Sequence, residues 1–216
     1  MAGVQAFALP VYRVFNNYFW EISTPTNDVS FKLFSKWVKG KIGQALEFKK
    51  GNTVTIPLGK GSMRNKASVI MWIQFTDLGG QQNYFSVWDK SSNRLVPYKE
   101  GGNMLRCWSN NWNVVSGVTA QKNQWYHIAN VYNGKKASIY IDGKLKVSQD
   151  VPKFELADQE QTAWLATDKG TGFLSSCVID EFIFYSRAVT AKEVDEIFKK
   201  GIDGALSVDG VGKLPT

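Results

Sequence analysis

Several residue types that build catalytic and metal sites are scarce in this sequence. Its 216 residues include one histidine and two cysteines, which excludes a metal site made of several histidines and a disulfide framework. No apolar run approaches the roughly 20 residues that a membrane-spanning helix needs. Residues 1–14 also lack the basic leader and apolar run of a secretory signal. We expect an extracellular protein with this start either to have lost a leader or to reach the outside by another route, such as assembly into a virion.

The two cysteines are predicted to be isolated, buried thiols. Cys107 and Cys177 each lie in a stretch typical of a strand, and their spacing does not fit a metal site. Free cysteine commonly packs as a small apolar side chain. A single disulfide that joins two sheets is the alternative.

The chain carries an excess of positive charge. Lysine and arginine total 26 against 19 aspartate and glutamate, which gives a net charge of +7. A basic surface favours anionic partners such as nucleic acid, acidic or sulfated glycans and anionic lipid. The lysines are scattered along the chain, and no predicted helix has the density of basic residues that a nucleic-acid reader needs. We therefore predict no specific nucleic-acid partner.

The stretch from Gln124 to Ser148 predicts a three-stranded antiparallel meander. Residues 125–132 are rich in aromatic and β-branched side chains, which favour strands. Asn133-Gly134 and Asp142-Gly143 each provide two residues that readily adopt the positive φ of a type I′ turn. Strands are therefore predicted at 125–132, 137–141 and 144–148. The only histidine, His127, is predicted to be a hydrogen-bonded structural residue of the first strand.

Three parts of the chain match one known pattern in the right order. They are GKIGQALEF and VTIP near the start, WYHIANVYNG and IYIDGK in the meander, and IDEFIFYSRAVT with the helix that follows it. With these motifs the chain, from about Val38 to Gly201, resembles the laminin-G-like jelly-roll domains of the concanavalin A-like lectin and glucanase superfamily. The resemblance implies the fold. It does not specify function, because the fold hosts lectins, adhesion modules, glycosidases and structural domains.

We predict an all-β fold, an antiparallel two-sheet β-sandwich of the jelly-roll type with one short C-terminal helix. The helix is predicted at 191–200, because Thr190 and Glu193 form a capping box and Gly201 provides a stop. The predicted parts are N-terminal strands with a docking arm at 1–35, the jelly-roll core at 36–201 and a C-terminal tail at 202–216.

The chain is predicted not to be an enzyme and to have no catalytic residues. Glycoside hydrolysis uses two carboxylates about 5 to 9 Å apart, and jelly-roll glycosidases place them on one face of a strand. No predicted strand carries such a pair. The closing strand at 176–186 is predicted to alternate strictly, with Ile179 and Ile183 on one face and Phe182 on the other. Asp180 and Glu181 would then point to opposite faces.

Calcium is the one cofactor that the resemblance implies, and none is certain. Many of the resembled domains bind calcium at the rim of the sandwich through carboxylates and carbonyls, the oxygen ligands that calcium prefers. Asp180 is the best positional match, with Glu21 or Asp28 as helpers. The acidic loop partners common in the family are replaced here by Lys49-Lys50 and Ser23-Thr24. The alternative role for Asp180 is a structural carboxylate that accepts backbone hydrogen bonds.

A surface site is predicted around a loop at 109–113. A saccharide site needs aromatic rings for the apolar face of the sugar and planar amides for its hydroxyl groups. The candidate ligand-binding residues are Trp108, Asn110, Asn111, Trp112, Tyr84 and Trp88. The alternative is that Trp108 and Trp112 anchor the loop into the core.

Two functions follow from these expectations. The first is a non-catalytic recognition or adhesion module that binds carbohydrate or another surface polymer. The second is a structural decoration or attachment protein on a larger assembly, such as a viral capsid or tail, which docks through its termini and displays the lectin-like fold outward. Either function places the protein outside the cell or on the surface of a particle.

Overall fold

The structure is a computed structural model, which describes residues 11–15, 18–21, 30–32, 36–60 and 63–206. In this part of the chain, two antiparallel sheets of nine and eight strands pack face to face. One helix covers the outer face of the larger sheet. This arrangement confirms the predicted β-sandwich with a C-terminal helix.

The elements follow each other along the chain as seventeen strands and one helix within the described residues. They are β1 (Val11–Phe15), β2 (Tyr18–Glu21), β3 (Ser30–Lys32), β4 (Lys36–Lys39), β5 (Gln44–Phe48), β6 (Thr53–Lys60), β7 (Ala67–Phe75), β8 (Gln82–Asn83), β9 (Phe85–Asp89), β10 (Arg94–Lys99), β11 (Met104–Ser109), β12 (Trp112–Thr119), β13 (Trp125–Tyr132), β14 (Lys136–Ile141), β15 (Lys144–Asp150), β16 (Glu160–Leu165), β17 (Cys177–Tyr185) and α1 (Ala191–Leu206).

The first three strands are shared between the two sheets. Sheet A has the order β15-β14-β13-β7-β17-β1-β2, and β5, with β4 beside it, also pairs with β17. Sheet B has the order β12-β11-β10-β9-β16-β6-β3, and β8 pairs with β10. The N-terminal strand β1 therefore extends sheet A, whereas β3 extends sheet B.

The core lies between the sheets and is rich in aromatic rings. Phe85 of sheet B stacks against Phe182 and Phe184 of sheet A, with ring centroids 5.7 and 5.6 Å apart. Cys107 and Cys177 are both free and buried, which confirms the prediction of two isolated thiols. Burial raises the pKa of both thiols, so they remain protonated side chains of the core.

The meander is confirmed as β13, β14 and β15, but its two turns differ. Asp142 and Gly143 both have positive φ, at 52° and 73°, as a type I′ turn requires. In the first turn Gly134 has a positive φ, at 95°, whereas the φ of Asn133 is not positive. The side chain of Asn133 instead accepts hydrogen bonds from the backbone N–H groups of Lys135 and Lys136. The prediction of a type I′ turn at 133–134 is therefore wrong.

A β-bulge interrupts the alternation of β17. Its pairing with β7 shifts between Asp180 and Ile183, and Glu181 has a φ of 48°. A bulge inserts one extra residue and changes which side chains share a face. Ile179 and Phe182 therefore both point into the core between the sheets, whereas Ile183 lies under the helix. The predicted grouping of Ile179 with Ile183 is wrong for this reason.

The helix begins as predicted and ends later. Thr190 and Glu193 exchange the two hydrogen bonds of a capping box, at 2.6 and 3.2 Å. Gly201 takes a φ of 70° and kinks the helix, which then continues to Leu206. Ile202 is fully buried, and its backbone N–H donates to Glu181 Oε2 at 2.7 Å. Among the described residues, no helix has both the length and the apolar character needed to cross a membrane.

Candidate functional site

The predicted loop at 109–113 is a tight hairpin. Strand β11 ends at Ser109 and β12 begins at Trp112, so only Asn110 and Asn111 connect them. Trp108 pairs with Asn113 across the hairpin, and Ser109 pairs with Trp112. Successive side chains on a strand point to opposite faces. Trp108 and Asn113 therefore lie on the outer face of sheet B, whereas Trp112 points into the core.

Two of the candidate ligand-binding residues lie in the core. Trp112 is 7% exposed, and its ring centroid lies 5.7 Å from that of Tyr132 and 6.2 Å from that of Phe154. Tyr84 is fully buried and packs edge-on against Phe75. These two side chains pack on the inner face of sheet B, in the core. Trp88 and Trp108 remain as the aromatic candidates at the surface.

The two candidate asparagines hold the hairpin turn to its neighbours. Asn110 accepts a hydrogen bond from the backbone N–H of Arg94 at 3.0 Å and donates one to the carbonyl of Ser92 at 3.2 Å. Asn111 donates to the carbonyl of Lys153 at 3.4 Å. Asn110 thereby links the β11–β12 turn to the β9–β10 turn and fixes the start of β10.

At the start of β10, the Arg94 guanidinium lies between two tryptophans. Its Cζ atom is 4.2 Å from the ring centroid of Trp88 and 4.5 Å from that of Trp108. Cation–π contacts of this kind act within about 6 Å of the ring. Lys169 Nζ also lies 4.8 Å from the Trp88 ring centroid. Two cations and two indoles therefore form one cluster on the outer face of sheet B.

Asp168 supplies the acidic group beside this cluster. Its Oδ1 atom accepts a hydrogen bond from Trp88 Nε1 at 2.7 Å. Burial raises the pKa of Asp168, although the Trp88 hydrogen bond and the charges of Arg94 and Lys169 oppose this effect. The carboxylate therefore fixes the Trp88 indole and remains a hydrogen-bond acceptor at the surface.

A pocket of about 260 Å³ opens next to Arg94 on this face. Its walls combine aromatic rings, amides, one guanidinium and one carboxylate. The lining residues are Gln81, Asn83, Arg94, Val96, Tyr98, Trp108, Asn113, Asp168 and Phe173. Asn113 donates to the hydroxyl of Tyr98 at 2.9 Å, and Gln81 donates to Asn83 at 3.1 Å. The amides are thus held in place before any ligand binds.

One wall of the pocket is a loop with unusual backbone angles. Ala166, Lys169 and Phe173 have φ values of 62°, 51° and 45°. Such conformations cost of order 1–3 kcal/mol each and concentrate at functional sites. Phe173 is also 52% exposed at the rim of the pocket. Its exposure and its strained backbone together make it a candidate functional residue.

The opposite wall is held by a buried ammonium group. Lys99 is fully buried, and its Nζ atom donates to the loop that carries Gln81 and Asn83. The four acceptors are Leu78 O at 2.9 Å, Gly80 O at 2.7 Å, Glu100 O at 3.1 Å and Asn103 Oδ1 at 2.8 Å. Burial lowers the pKa of Lys99, and the charge of Asp77 opposes this effect. These four oxygens surround the Lys99 ammonium group as a cage.

Within the described residues, Asp180 is held by backbone hydrogen bonds. Its Oδ2 atom accepts from the N–H of Ile42 and its Oδ1 atom from that of Glu181, both at 2.8 Å. Within the described ranges, no three His, Cys, Asp or Glu side chains lie close enough together to hold a metal ion. Asp28 lies outside these ranges, and Glu21 is described by its backbone alone. As it stands, Asp180 fits the alternative role of a structural carboxylate.

The fold agrees with the family that the sequence matches. The laminin-G-type family model described as the concanavalin A-like lectin/glucanases superfamily matches residues 48–195. The chain belongs to this superfamily, as its motifs indicated. No curated protein matches the chain.

Several solved structures share the fold. Domain 4 of AbnA, an extracellular arabinanase from Geobacillus stearothermophilus in complex with arabinotriose, is 19% identical with a TM-score of 0.63, over 79% of this chain and 87% of that one. The binding domain of Paraclostridial Mosquitocidal Protein 1 is 16% identical with a TM-score of 0.67, over 88% and 51%. The binding domain of botulinum neurotoxin DC, solved with rat synaptotagmin II, is 13% identical with a TM-score of 0.67, over 88% and 51%. The chain thus spans about half the length of the two toxin binding domains.

Proposed function

We propose that the chain is a non-catalytic recognition module that binds a saccharide on the outer face of sheet B. The observation that carries this proposal is the pocket in front of Trp108, Arg94 and Phe173. Exposed aromatic rings can cover the apolar face of a sugar ring. The amides of Asn113 and Gln81 and the carboxylate of Asp168 provide donors and acceptors for hydroxyl groups.

The size of the pocket favours a short ligand segment. At about 260 Å³ it lies just below the roughly 300–1,000 Å³ range of ligand pockets. A terminal sugar unit or one unit of a polymer suits this volume. The rest of a longer chain would extend over the outer face of sheet B.

A binding role accounts for the acidic groups better than hydrolysis does. Asp168 is the one carboxylate among the lining residues, and it already accepts a hydrogen bond from Trp88. Glycosidases of the common type need a second carboxylate about 5 to 9 Å away. We therefore propose recognition without cleavage.

The similar structures support a binding module and an exposed location. One of them is a domain of an extracellular enzyme in complex with arabinotriose, and others are toxin binding domains, one of them solved with synaptotagmin II. By the same reasoning we propose that this chain acts outside the cell or on a particle surface. A virion is one such particle.

A glycan array tests the proposal with two matched variants. Trp108→Ala removes an aromatic wall of the pocket. Val115→Ala changes an exposed residue of the adjacent strand β12 that does not line the pocket. We expect the wild type and Val115→Ala to bind the same saccharides and Trp108→Ala to lose them. Equal binding by all three proteins would place the site elsewhere, and no binding by the wild type would overturn the proposal.

The second hypothesis, decoration of a larger assembly through the termini, stays a prediction. It concerns the predicted arm at 1–35 and tail at 202–216, of which residues 1–10 and 207–216 lie outside the described residues. The two functions are compatible, since an attached domain can display a saccharide-binding face.

A further inference from the structure

We infer that the saccharide bound in this pocket carries a carboxylate group and that Arg94 recognises it. This inference rests on the proposed function and names the chemical class of the ligand, an acidic saccharide such as a uronic acid. Three properties of Arg94 carry it: its fixed orientation, its lack of an acceptor and its position in the pocket wall.

The two indoles fix the orientation of the guanidinium. Trp88 and Trp108 lie 4.2 and 4.5 Å from Arg94 Cζ, and Asn110 holds the backbone of the same residue. A planar guanidinium stacks well on aromatic faces and keeps its N–H groups in the plane, at its edge. The donor groups of Arg94 are therefore held in place before the ligand arrives, which reduces the ordering that binding requires.

The guanidinium of Arg94 has no acceptor among the described residues. Its Nε atom is buried without a hydrogen-bond partner, and no ion pair joins it to a carboxylate within 4.0 Å. The other arginines whose side chains are described are ion-paired, although the Nε atom of Arg106 is likewise buried without a hydrogen-bond partner. Their ion pairs are Arg64 with Glu155, Arg106 with Glu100 and Arg187 with Glu193. Because the Nε atom is buried, an external acceptor would reach the guanidinium through its terminal N–H groups, at the pocket that Arg94 lines.

The chemistry around Arg94 favours a negatively charged acceptor. Lys169 adds a second positive charge near Trp88. Asp168, the one acidic residue that lines the pocket, already accepts the indole N–H of Trp88. Arginine binds a carboxylate through two parallel, charge-assisted hydrogen bonds, a geometry that a neutral hydroxyl group cannot match. A carboxylate in the plane of Arg94 would leave the sugar ring near Phe173 and Asn113, which line the same pocket.

Comparing each acidic saccharide with its methyl ester separates the effect of the ligand's charge on binding from the effect of its shape. The probes are trigalacturonic acid, a hyaluronan tetrasaccharide and sialyllactose, each compared with its own methyl ester. Esterification removes the negative charge and keeps the sugar. We expect the wild type to bind at least one acid about tenfold or more tightly than its ester, because hydrogen bonds to charged partners are the stronger ones.

Three variants assign the preference to Arg94. Arg94→Gln removes the charge, and Arg94→Lys keeps a cation without the two-pronged geometry. Arg106→Gln removes one positive charge from the same face of sheet B, at a residue that is ion-paired with Glu100 at 2.7 Å and does not line the pocket. We expect the acid-to-ester ratio to fall to near one in Arg94→Gln, to be intermediate in Arg94→Lys and to persist in Arg106→Gln. Circular dichroism confirms that each variant is folded.

The possible results distinguish the inference from the proposed function. Equal binding of acids and esters by the wild type would overturn the inference and leave the saccharide-binding module intact. An unchanged ratio in Arg94→Gln, or an equal fall in Arg106→Gln, would assign the preference to general charge and also overturn it. If the wild type binds no saccharide of either kind on a broad array, the proposed function itself fails.

Discussion

The imidazole ring of His127 packs against the indole of Trp72, with ring centroids 5.2 Å apart and the planes at 62°. The Phe198 ring of the helix lies 5.5 Å from both rings. His127 is 1% exposed, and neither of its nitrogens has a hydrogen-bond partner. The prediction of a hydrogen-bonded histidine is therefore wrong, because aromatic contacts fill its surroundings. Burial lowers the pKa of His127 to about 3.

Acid is expected to destabilise the protein through His127. The folded-state pKa of about 3 lies below the unfolded value of 6.5. The stability contributed by the neutral ring is therefore present above pH 6.5 and lost as the pH falls from 6.5 towards 3. The expected slope approaches about 1.4 kcal/mol per pH unit. Urea unfolding at several pH values measures it.

His127→Phe is the control for this titration. Phenylalanine suits the ring contacts with Trp72 and Phe198 and cannot take up a proton. Between pH 6.5 and 4 the variant should lose less stability than the wild type. Parallel curves for the two proteins would show that His127 does not carry the effect.

The two tryptophans of the β11–β12 hairpin are expected to behave differently when truncated. Trp112→Ala leaves a cavity beside Tyr132 and Phe154 and should cost about 3–5 kcal/mol. Trp108→Ala removes a cation–π partner of Arg94 and should cost about 1 kcal/mol or less. Urea unfolding of both variants checks this. A larger loss for Trp108→Ala would mean that the outer face is part of the stabilising core.

Lys99→Met is expected to loosen the loop that carries Gln81 and Asn83. The substitution keeps the length of the side chain and removes the donor that serves four oxygens. We expect a loss of about 2–3 kcal/mol and faster hydrogen exchange across residues 77–83. Lys122→Met, at an exposed lysine, is the control. Unchanged exchange in Lys99→Met would show that the loop is held by other contacts.

Calcium is testable with a chelator. The described residues do not provide a cluster of carboxylates at Asp180, so we expect EDTA to leave the melting temperature unchanged. Asp180→Ala should still cost about 1–3 kcal/mol, because the N–H groups of Ile42 and Glu181 lose their acceptor. A melting temperature that rises with calcium in the wild type and not in Asp180→Ala would show that residues outside the described ranges complete a site.

Two truncations distinguish the packing of residues 202–206 against the sandwich from the predicted docking role of the C-terminal tail. Ile202 is fully buried and Ala205 is 8% exposed, so removal of residues 202–216 should lower the melting temperature. Removal of 207–216 keeps both side chains and is the matched comparison. Similar melting temperatures for the two truncations would contradict the packing of α1 beyond its kink. The docking hypothesis is best tested with the shorter truncation, in an assay of particle association.

Sequence patterns predict the regular parts of this fold because they depend on local preferences. The meander follows from aromatic and β-branched strands separated by Asp142-Gly143, and the helix start follows from Thr190 and Glu193. The bulge at Glu181 is not predictable from alternation, since one inserted residue leaves the composition of the strand unchanged. The hairpin at 110–111 was missed because its two asparagines are equally typical of a loop.

The candidate site could be predicted only in part. Trp88 and Trp108 were named because tryptophans beside polar residues are visible in the sequence. Arg94 and Phe173 carry no such local signal, because both reach the pocket only through tertiary contacts. An aromatic residue directly after Gly170-Thr171-Gly172 is a weak signal that could have drawn attention to Phe173. Nothing in the sequence indicates that Lys99 points inward.

The four oxygens around Lys99 Nζ form a cage that is filled by a side chain of the protein itself. The proposed binding face therefore does not need a dissolved ion to hold this loop. A diffusible ion leaves such a cage when its concentration falls below its dissociation constant. The ammonium group of Lys99 is covalently attached to β10, so its effective concentration at the four oxygens is set by the chain itself. The cage therefore stays filled in fresh water, in sea water and in the presence of chelating polymers. Gln81 and Asn83 keep their positions wherever the sheet itself remains folded.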